Sequence, residues 1–126
     1  KTINIEALTM IDMASKQIIP AVVGYTRTLA DTVIAVREAG VDASVQTEIL
    51  KEVSLKLAEA KAALVKLQEV EKTAGTMQEG KEQAFFYKDA VRAAMDDLRR
   101  PVDELEMLVD KKVWPYPTYA DLMFEV

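Results

Sequence analysis

Residues 44–74 read SVQTEILKEVSLKLAEAKAALVKLQEVEKTA, and this stretch decides the fold. Its apolar residues recur at alternating spacings of three and four: Leu50, Val53, Leu57, Ala60, Leu64 and Leu67. An α-helix presents such a pattern as one apolar stripe. No Gly or Pro interrupts the stretch, and ten Lys and Glu residues lie outside the stripe. The sequence therefore predicts one long helix over residues 44–74, whose stripe needs partner helices.

The segments on either side supply two partners. The stripe of the first segment is Leu8, Ile11, Ser15, Ile18/Ile19, Val22, Tyr25/Thr26, Leu29, Val33 and Val36. The stripe of the third is Ala84, Tyr87/Lys88, Val91, Met95, Leu98, Val102, Leu105 and Val109. These patterns predict helices over about residues 2–39 and 80–112. Gly40 is predicted to close the first helix as its C′ residue. Asp42 or Ser44 is the predicted N-cap of the second helix, and Gly75 its end.

Two prolines lie inside the flanking stripes, Pro20 in the first and Pro101 in the third. An interior proline removes one backbone hydrogen bond and clashes with the preceding turn, at a cost of about 3 kcal/mol. Because both stripes keep their phase across the proline, we expect kinks. For Pro20, a break that leaves two separate helices is the alternative.

The composition agrees with one all-helical domain. The chain has 126 residues, half of them apolar, with only four Gly and four Pro. Short links force neighbouring helices to run antiparallel. The predicted fold class is all-α: an up-down-up three-helix bundle over residues 1–112, followed by an aromatic, proline-containing tail over residues 113–126.

The tail is the predicted interface. Pro115 and Pro117 prevent helix continuation, and the tail contains the only Trp of the chain. Dense aromatic segments rarely remain in water. The tail therefore either packs on its own bundle or docks on another domain or subunit. The candidate interface residues are Trp114, Tyr116, Tyr119, Leu122, Met123 and Phe124.

Several kinds of chemistry are excluded by composition. The chain has neither His nor Cys, which rules out Ser-His-Asp and Cys-His catalysis, Cys/His zinc sites and Glu-x-x-His di-iron sites. The four Gly form no phosphate-binding motif. We therefore predict no catalytic, cofactor-binding or metal-binding residue, and no enzyme activity for this chain by itself.

Other polar and soft side chains have ordinary interpretations. The carboxylates Asp96, Asp97, Asp103, Glu104 and Glu106 fit a solvated helix face better than a metal site. Arg99 and Arg100 fit surface ion pairs better than an anion site. The six methionines fit core or surface filling better than a binding groove.

Charge and hydropathy narrow the partners and the location. The net charge is −5 and no basic stripe stands out, which argues against nucleic acid. No uninterrupted apolar run reaches 18 residues, so no membrane span is predicted. The absence of cysteine is compatible with a cytoplasmic location. Because the chain starts at Lys1 without a Met, we expect it to be a piece of something longer.

Both ends of the chain carry recognisable sequence. INIEALTMIDMA at residues 3–14, continuing through PAV at 20–22, resembles the start of the C-terminal region of type III glutamine synthetases. VWPYPTYADLMF at residues 113–124 resembles the C-terminus of that family. The middle of the chain, roughly residues 37–83, adds little to the resemblance.

The resemblance implies a parent enzyme that makes glutamine from glutamate, ammonia and ATP with Mg or Mn, as a large oligomer of stacked rings. It places the metal-, ATP- and glutamate-binding residues upstream, so no catalytic residue carries over to this chain. The implied role is a non-catalytic helical domain that contacts the catalytic domain of the same chain and neighbouring subunits of a homo-oligomer. The alternative hypothesis is a free-standing helical protein–protein interaction module.

Overall fold

The computed structural model describes residues 2–117, which form three helices and no strand. Helix α1 (Thr2–Glu38) joins Thr2–Met13, a π-helical turn at Ala14–Ile18, and Ile19–Glu38. Helix α2 is Ser44–Thr76. Helix α3 (81–108) joins Lys81–Phe86, a π-helical turn at Tyr87–Val91, and Arg92–Leu108. The all-helical prediction is confirmed, with helix ends at 38, 76 and 108 where the sequence predicted about 39, 74 and 112.

Helix α2 is the centre of the core, and it packs against both of the other helices. Val53, Ala60, Leu64 and Leu67 of its predicted stripe are fully or almost fully buried. Leu50 and Leu57 are partly buried and pack against the same cluster. The stripe predicted from the sequence is therefore the one that the fold buries.

The two π-helical turns change the register of α1 and α3. In α1, the buried residues Ala14, Ile18 and Val22 are separated by two successive steps of four. In a regular α-helix each such step rotates about 40° beyond a full turn, so the stripe would drift away from the core. A π turn holds one extra residue and cancels this drift.

The shifted register corrects two core predictions. Ala7 is buried in α1, whereas Leu8, predicted in the stripe, is 49% exposed. In α3, Gln83 and Phe86 face inward and Ala84, also predicted in the stripe, is exposed. Both predictions were wrong because they assumed a constant α-helical phase across the π turn.

The prolines lie within continuous helices. Pro20 is the second residue after the π turn Ala14–Ile18, and α1 continues through it to Glu38. Pro101 is buried inside Arg92–Leu108. The predicted kinks at the two prolines stay predictions.

Helix α1 ends in a C-terminal cap in which Gly40 is the C′ residue, as predicted. Gly40 has φ +78. Its N–H donates to the carbonyl of Arg37 (2.9 Å), and the N–H of Val41 donates to that of Val36 (3.2 Å). This pair of hydrogen bonds is the Schellman motif, which satisfies the last carbonyls of α1.

The predicted caps of α2 differ from the structure. Ala43 occupies the N-cap position and makes no side-chain cap hydrogen bond. The Ser44 hydroxyl instead donates to Asp42 Oδ1 at 2.7 Å. Gly75 lies inside the last turn of α2, and the helix ends at Thr76. The side-chain amide of Gln83 then reaches back to the carbonyls of Ala74 (2.9 Å) and Met77 (3.2 Å).

Helix α3 ends four residues earlier than predicted. Val109 is extended, and the Asp110 carboxylate accepts the backbone N–H of Lys112 at 2.9 Å. Such local side-chain hydrogen bonds compete with helix continuation. The turn at Asp110 directs the chain back so that Trp114 reaches the core.

Contacts between helices give their relative directions. Tyr87 Oη contacts Asn4 Oδ1 (3.3 Å) and Arg99 Nη2 contacts Met10 Sδ (3.7 Å), so residue numbers rise together along α1 and α3. Lys56 Nζ lies 3.1 Å from Glu104 Oε1, whereas Gln83 bonds to Ala74, so the numbers run oppositely along α2 and α3.

Candidate interaction surface

The predicted interface in the tail is only partly within the described residues. Trp114 is 8% exposed and belongs to the core cluster. Tyr116 is half-buried against that cluster, and within residues 2–117 its buried hydroxyl has no hydrogen-bond partner. The other candidates, Tyr119, Leu122, Met123 and Phe124, lie outside the described residues.

This placement separates the two alternatives for Trp114. Its ring packs on its own bundle, so it is not an exposed docking group. The interface role of the other candidates stays a prediction.

The arginine pair forms the surface ion pairs that the sequence predicted. Arg99 Nη1 lies 3.1 Å from Asp96 Oδ1, and Arg100 Nη2 lies 3.4 Å from Asp97 Oδ1. All four side chains are more than half exposed. Neither arginine lies in a buried pocket that could bind an anionic ligand.

Glu104 of α3 also faces a cation. Glu104 pairs with Lys56 across the α2–α3 contact, and its hydrogen bond raises the pKa of Lys56 above the ordinary value, with Glu59 adding to the effect. Over residues 2–117 no group of three or more acidic side chains is placed to hold a metal ion. The absence of a metal site in this chain stays a prediction.

Two methionines line a small groove between α1 and α3. Met10 and Met13 lie there with Ile18, Leu98 and Val102, around a cavity of about 160 Å³. Arg99 and Asp103 form its polar rim. Both methionines fill the space between two helices, as the sequence analysis favoured, but the groove they leave is open on one side.

An exposed apolar surface that the sequence did not predict lies on α1. We define the α1 outer face as Ile5, Leu8, Pro20, Val23 and Ile34, all of which are exposed. Four are large apolar residues that are 65%, 49%, 51% and 55% exposed (Ile5, Leu8, Val23 and Ile34). In a free-standing domain, such positions on a surface helix are usually polar.

Four charged side chains of α1 form two ion pairs with each other. Lys16 Nζ lies 3.0 Å from Asp12 Oδ1. Arg27 Nε lies 3.7 Å from Asp31 Oδ2. Both are i,i+4 pairs on exposed side chains, and their mutual pairing leaves the α1 outer face without net charge.

A signal for this surface was present in the sequence. Residues 17–26, QIIPAVVGYT, contain no charged residue. By length and composition, helix α1 is also long and apolar enough to cross a membrane. Only 22% of its apolar 18-residue window is buried within the domain. The expectation of no membrane span counted only uninterrupted apolar runs and stays a prediction. A mostly buried core helix of a soluble protein and a signal sequence near the N-terminus both pass the same test.

Comparison with known proteins gives the family context. A family model described as "Glutamine synthetase C-terminal domain" matches residues 1–37. The glutamine synthetase of Butyrivibrio fibrisolvens is 35% identical over 128 residues, which cover 100% of this chain and 18% of that protein. The chain is similar to the C-terminal region of glutamine synthetases.

Two further glutamine synthetases agree with that assignment. The enzyme of Bacteroides fragilis is 30% identical over 97% of this chain, and the "Type-3 glutamine synthetase" of Dictyostelium discoideum is 28% identical over 98%. The chain spans about 18% of the length of each of these relatives. The resemblance drawn from the two ends of the sequence is confirmed.

The match to the glutamine synthetase family model coincides with one structural element. The model covers residues 1–37, and α1 is Thr2–Glu38. The segment that the family model recognises is therefore the helix with the exposed apolar face.

Proposed function

We propose that this chain forms the non-catalytic C-terminal domain of a type III glutamine synthetase and has a structural role in its assembly. The observation that supports this most directly is the extent of the similarity. It spans 100% of the chain but 18% of the Butyrivibrio fibrisolvens enzyme, so most of such an enzyme lies outside the matched region.

The proposed parent enzyme ligates ammonia to glutamate at the expense of ATP, with Mg or Mn. In this proposal, the residues that bind ATP, metal and glutamate belong to the remainder of the enzyme. The partners of the domain are the catalytic domain of the same chain and neighbouring subunits of a homo-oligomer. The proposed location is the cytoplasm, since glutamate, ammonia and ATP are soluble intracellular substrates.

The architecture suits a supporting role. The inter-helix contacts support an up-down-up three-helix bundle, because α1 and α3 meet in the same direction and α2 runs opposite to α3. The core extends through all three helices and is closed by Trp114. A continuous core of this kind makes the domain a rigid unit, which transmits a contact on one face to the whole domain.

Deletion from the full-length enzyme tests the proposal. The region equivalent to residues 1–126 is removed, and assembly is measured by sedimentation while glutamine formation is assayed. We expect smaller assemblies and reduced activity. Normal assembly together with normal activity would show that the structural role is wrong.

A second measurement tests the non-catalytic assignment separately. The 126-residue chain is assayed for glutamine formation with glutamate, ammonia, ATP and Mg or Mn. We expect no turnover above background. Turnover that persists after repurification would contradict the assignment.

A further inference from the structure

We propose that the α1 outer face is the surface through which this domain binds the remainder of its own glutamine synthetase chain, against an apolar surface that carries no net charge. This inference rests on the proposed function and adds which face makes the contact. Three observations support it: the charge distribution, the area of the face, and the match to the family model.

Charge is distributed unevenly over the chain. Residues 1–38 contain four basic and four acidic residues, whereas residues 39–126 contain 12 basic and 17 acidic residues. Helix α1 contains seven charged residues among 37, whereas α2 contains 10 among 33 and α3 contains 12 among 28. The buried centres of protein interfaces are depleted in charge and enriched in apolar side chains. Of the three helices, α1 has the surface that fits this description.

The area of the face favours a tethered partner. From Ile5 to Ile34 the helix rises about 44 Å, and at a width of about 10 Å the face offers roughly 440 Å². A stable interface between separate proteins buries about 800 Å² on each side. Covalent linkage raises the effective concentration into the millimolar range, so a smaller contact suffices within one chain. A second copy of the domain would need more surface than this face provides.

The family model points to the same partner. It ends at residue 37, where α1 ends, and does not extend over the two helices that supply the rest of the core. The family model therefore covers all but the last residue of the helix that carries the α1 outer face, and glutamine synthetases match the rest of the chain as well. A partner within the same glutamine synthetase chain agrees with this match.

The charge balance argues against a lipid surface as the partner. Helices that lie on membranes carry Lys and Arg in excess on their polar face. In α1, the exposed cations Lys16 and Arg27 are each paired with an aspartate one turn away, Asp12 and Asp31. No cationic excess remains on this face to attract anionic headgroups.

A matched pair of substitutions in the full-length enzyme tests the proposal. Val23→Lys places a charge on the α1 outer face, where Val23 is 51% exposed. Leu55→Lys places the same charge on α2, where Leu55 is 56% exposed. Hydrogen–deuterium exchange of the α1 peptides reports whether the face is covered, and circular dichroism at 222 nm reports whether the helices remain folded.

We expect Val23→Lys to raise the exchange rate of α1 peptides at least ten-fold, with helicity unchanged, and Leu55→Lys to leave that rate within two-fold of wild type. Ile34→Lys repeats the test at the other end of the face and should behave as Val23→Lys does. Unchanged exchange in both α1 variants, or an equal increase in Leu55→Lys, would overturn the proposal.

Two further arms separate the alternatives. If deletion of the domain disrupts assembly but the α1 variants do not raise exchange, the proposed function stands and this inference fails. Full-length enzyme is also sedimented with vesicles of phosphatidylcholine and phosphatidylserine. Co-sedimentation that Val23→Lys abolishes would overturn the inference in favour of a lipid surface.

Discussion

Replacing Leu64 by alanine is the sharpest test of the core. Leu64 lies on α2, is 1% exposed and belongs to the cluster that joins all three helices. The substitution removes three carbon atoms from the centre of that cluster without adding a polar group. We expect the helices to form still, with a large loss of stability.

The magnitude follows from burial. At about 0.8 kcal/mol per buried methylene-sized group, three carbons account for about 2.4 kcal/mol. The residual cavity adds to this, and measured Leu→Ala losses in cores span about 2 to 5 kcal/mol. We expect a fall in the free energy of unfolding of about 3.5 kcal/mol. At roughly 4 °C per kcal/mol for a domain of this size, Tm should fall by about 14 °C.

The assay is urea unfolding of the 126-residue chain, followed by circular dichroism at 222 nm and by the fluorescence of Trp114. Leu55→Ala is the matched control, because Leu55 is on the same helix but 56% exposed. It should change the free energy of unfolding by less than about 1 kcal/mol. A loss below 1 kcal/mol for Leu64→Ala, or equal losses for the two variants, would refute the assignment of this stripe to the core.

Further predictions concern backbone conformation and pH. Gly40→Ala should lower the free energy of unfolding by about 1 kcal/mol because φ is +78, whereas Gly24→Ala should raise it by about 1 kcal/mol. No atom lies within 4 Å of either added Cβ, so steric clashes do not enter. Changes of the same sign in Tm for the two variants would refute the backbone argument. Burial, aided by the nearby charge of Glu71, raises the pKa of Tyr87 above its ordinary value. The neutral phenol is therefore favoured in the folded state, and its contribution is present below about pH 10 and is lost as pH rises further. Tyr87→Phe removes the hydrogen bond to Asn4 and should lower the free energy of unfolding by about 1 kcal/mol at pH 8. Between pH 8 and 11 the variant should lose less further stability than wild type does. A steeper fall of its urea midpoint over that range would contradict this.

The predictability of each helix followed from the regularity of its pattern. The stripe of α2 alternates spacings of three and four without interruption, and the predicted core residues Val53, Leu64 and Leu67 are buried. Helices α1 and α3 each contain a π turn, which a constant-period reading does not detect. Leu8 and Ala84 were misplaced for that reason, although residues on the other side of each turn, such as Leu29 and Leu98, were placed correctly.

Local competition explains the error at the end of α3. Lys111 and Lys112 look like the basic last turn of a helix, which suits the helix dipole. Asp110 instead captures the backbone N–H of Lys112 and ends the helical path. Helix propensity cannot decide whether the helix continues or turns at Asp110, because the stability gained by the turn depends on the packing of Trp114 in the core.

The candidate surface was the least predictable part. The aromatic tail drew the prediction, but Trp114 is used within the domain. The α1 outer face went unnoticed because Leu8 was assigned to the core and Val23 and Ile34 fell outside the stripe. The uncharged stretch at residues 17–26 was the available signal, and its meaning depends on which side of α1 the fold leaves exposed.

Hydroxyl-radical footprinting of a full-length enzyme that contains this domain tests the central claim most directly. It reports side-chain accessibility without any substitution. If the α1 outer face binds the remainder of the chain, Leu8, Val23 and Ile34 should be protected while Leu55, equally exposed in the domain alone, is labelled. Labelling of the α1 side chains at the level of Leu55 would contradict the account.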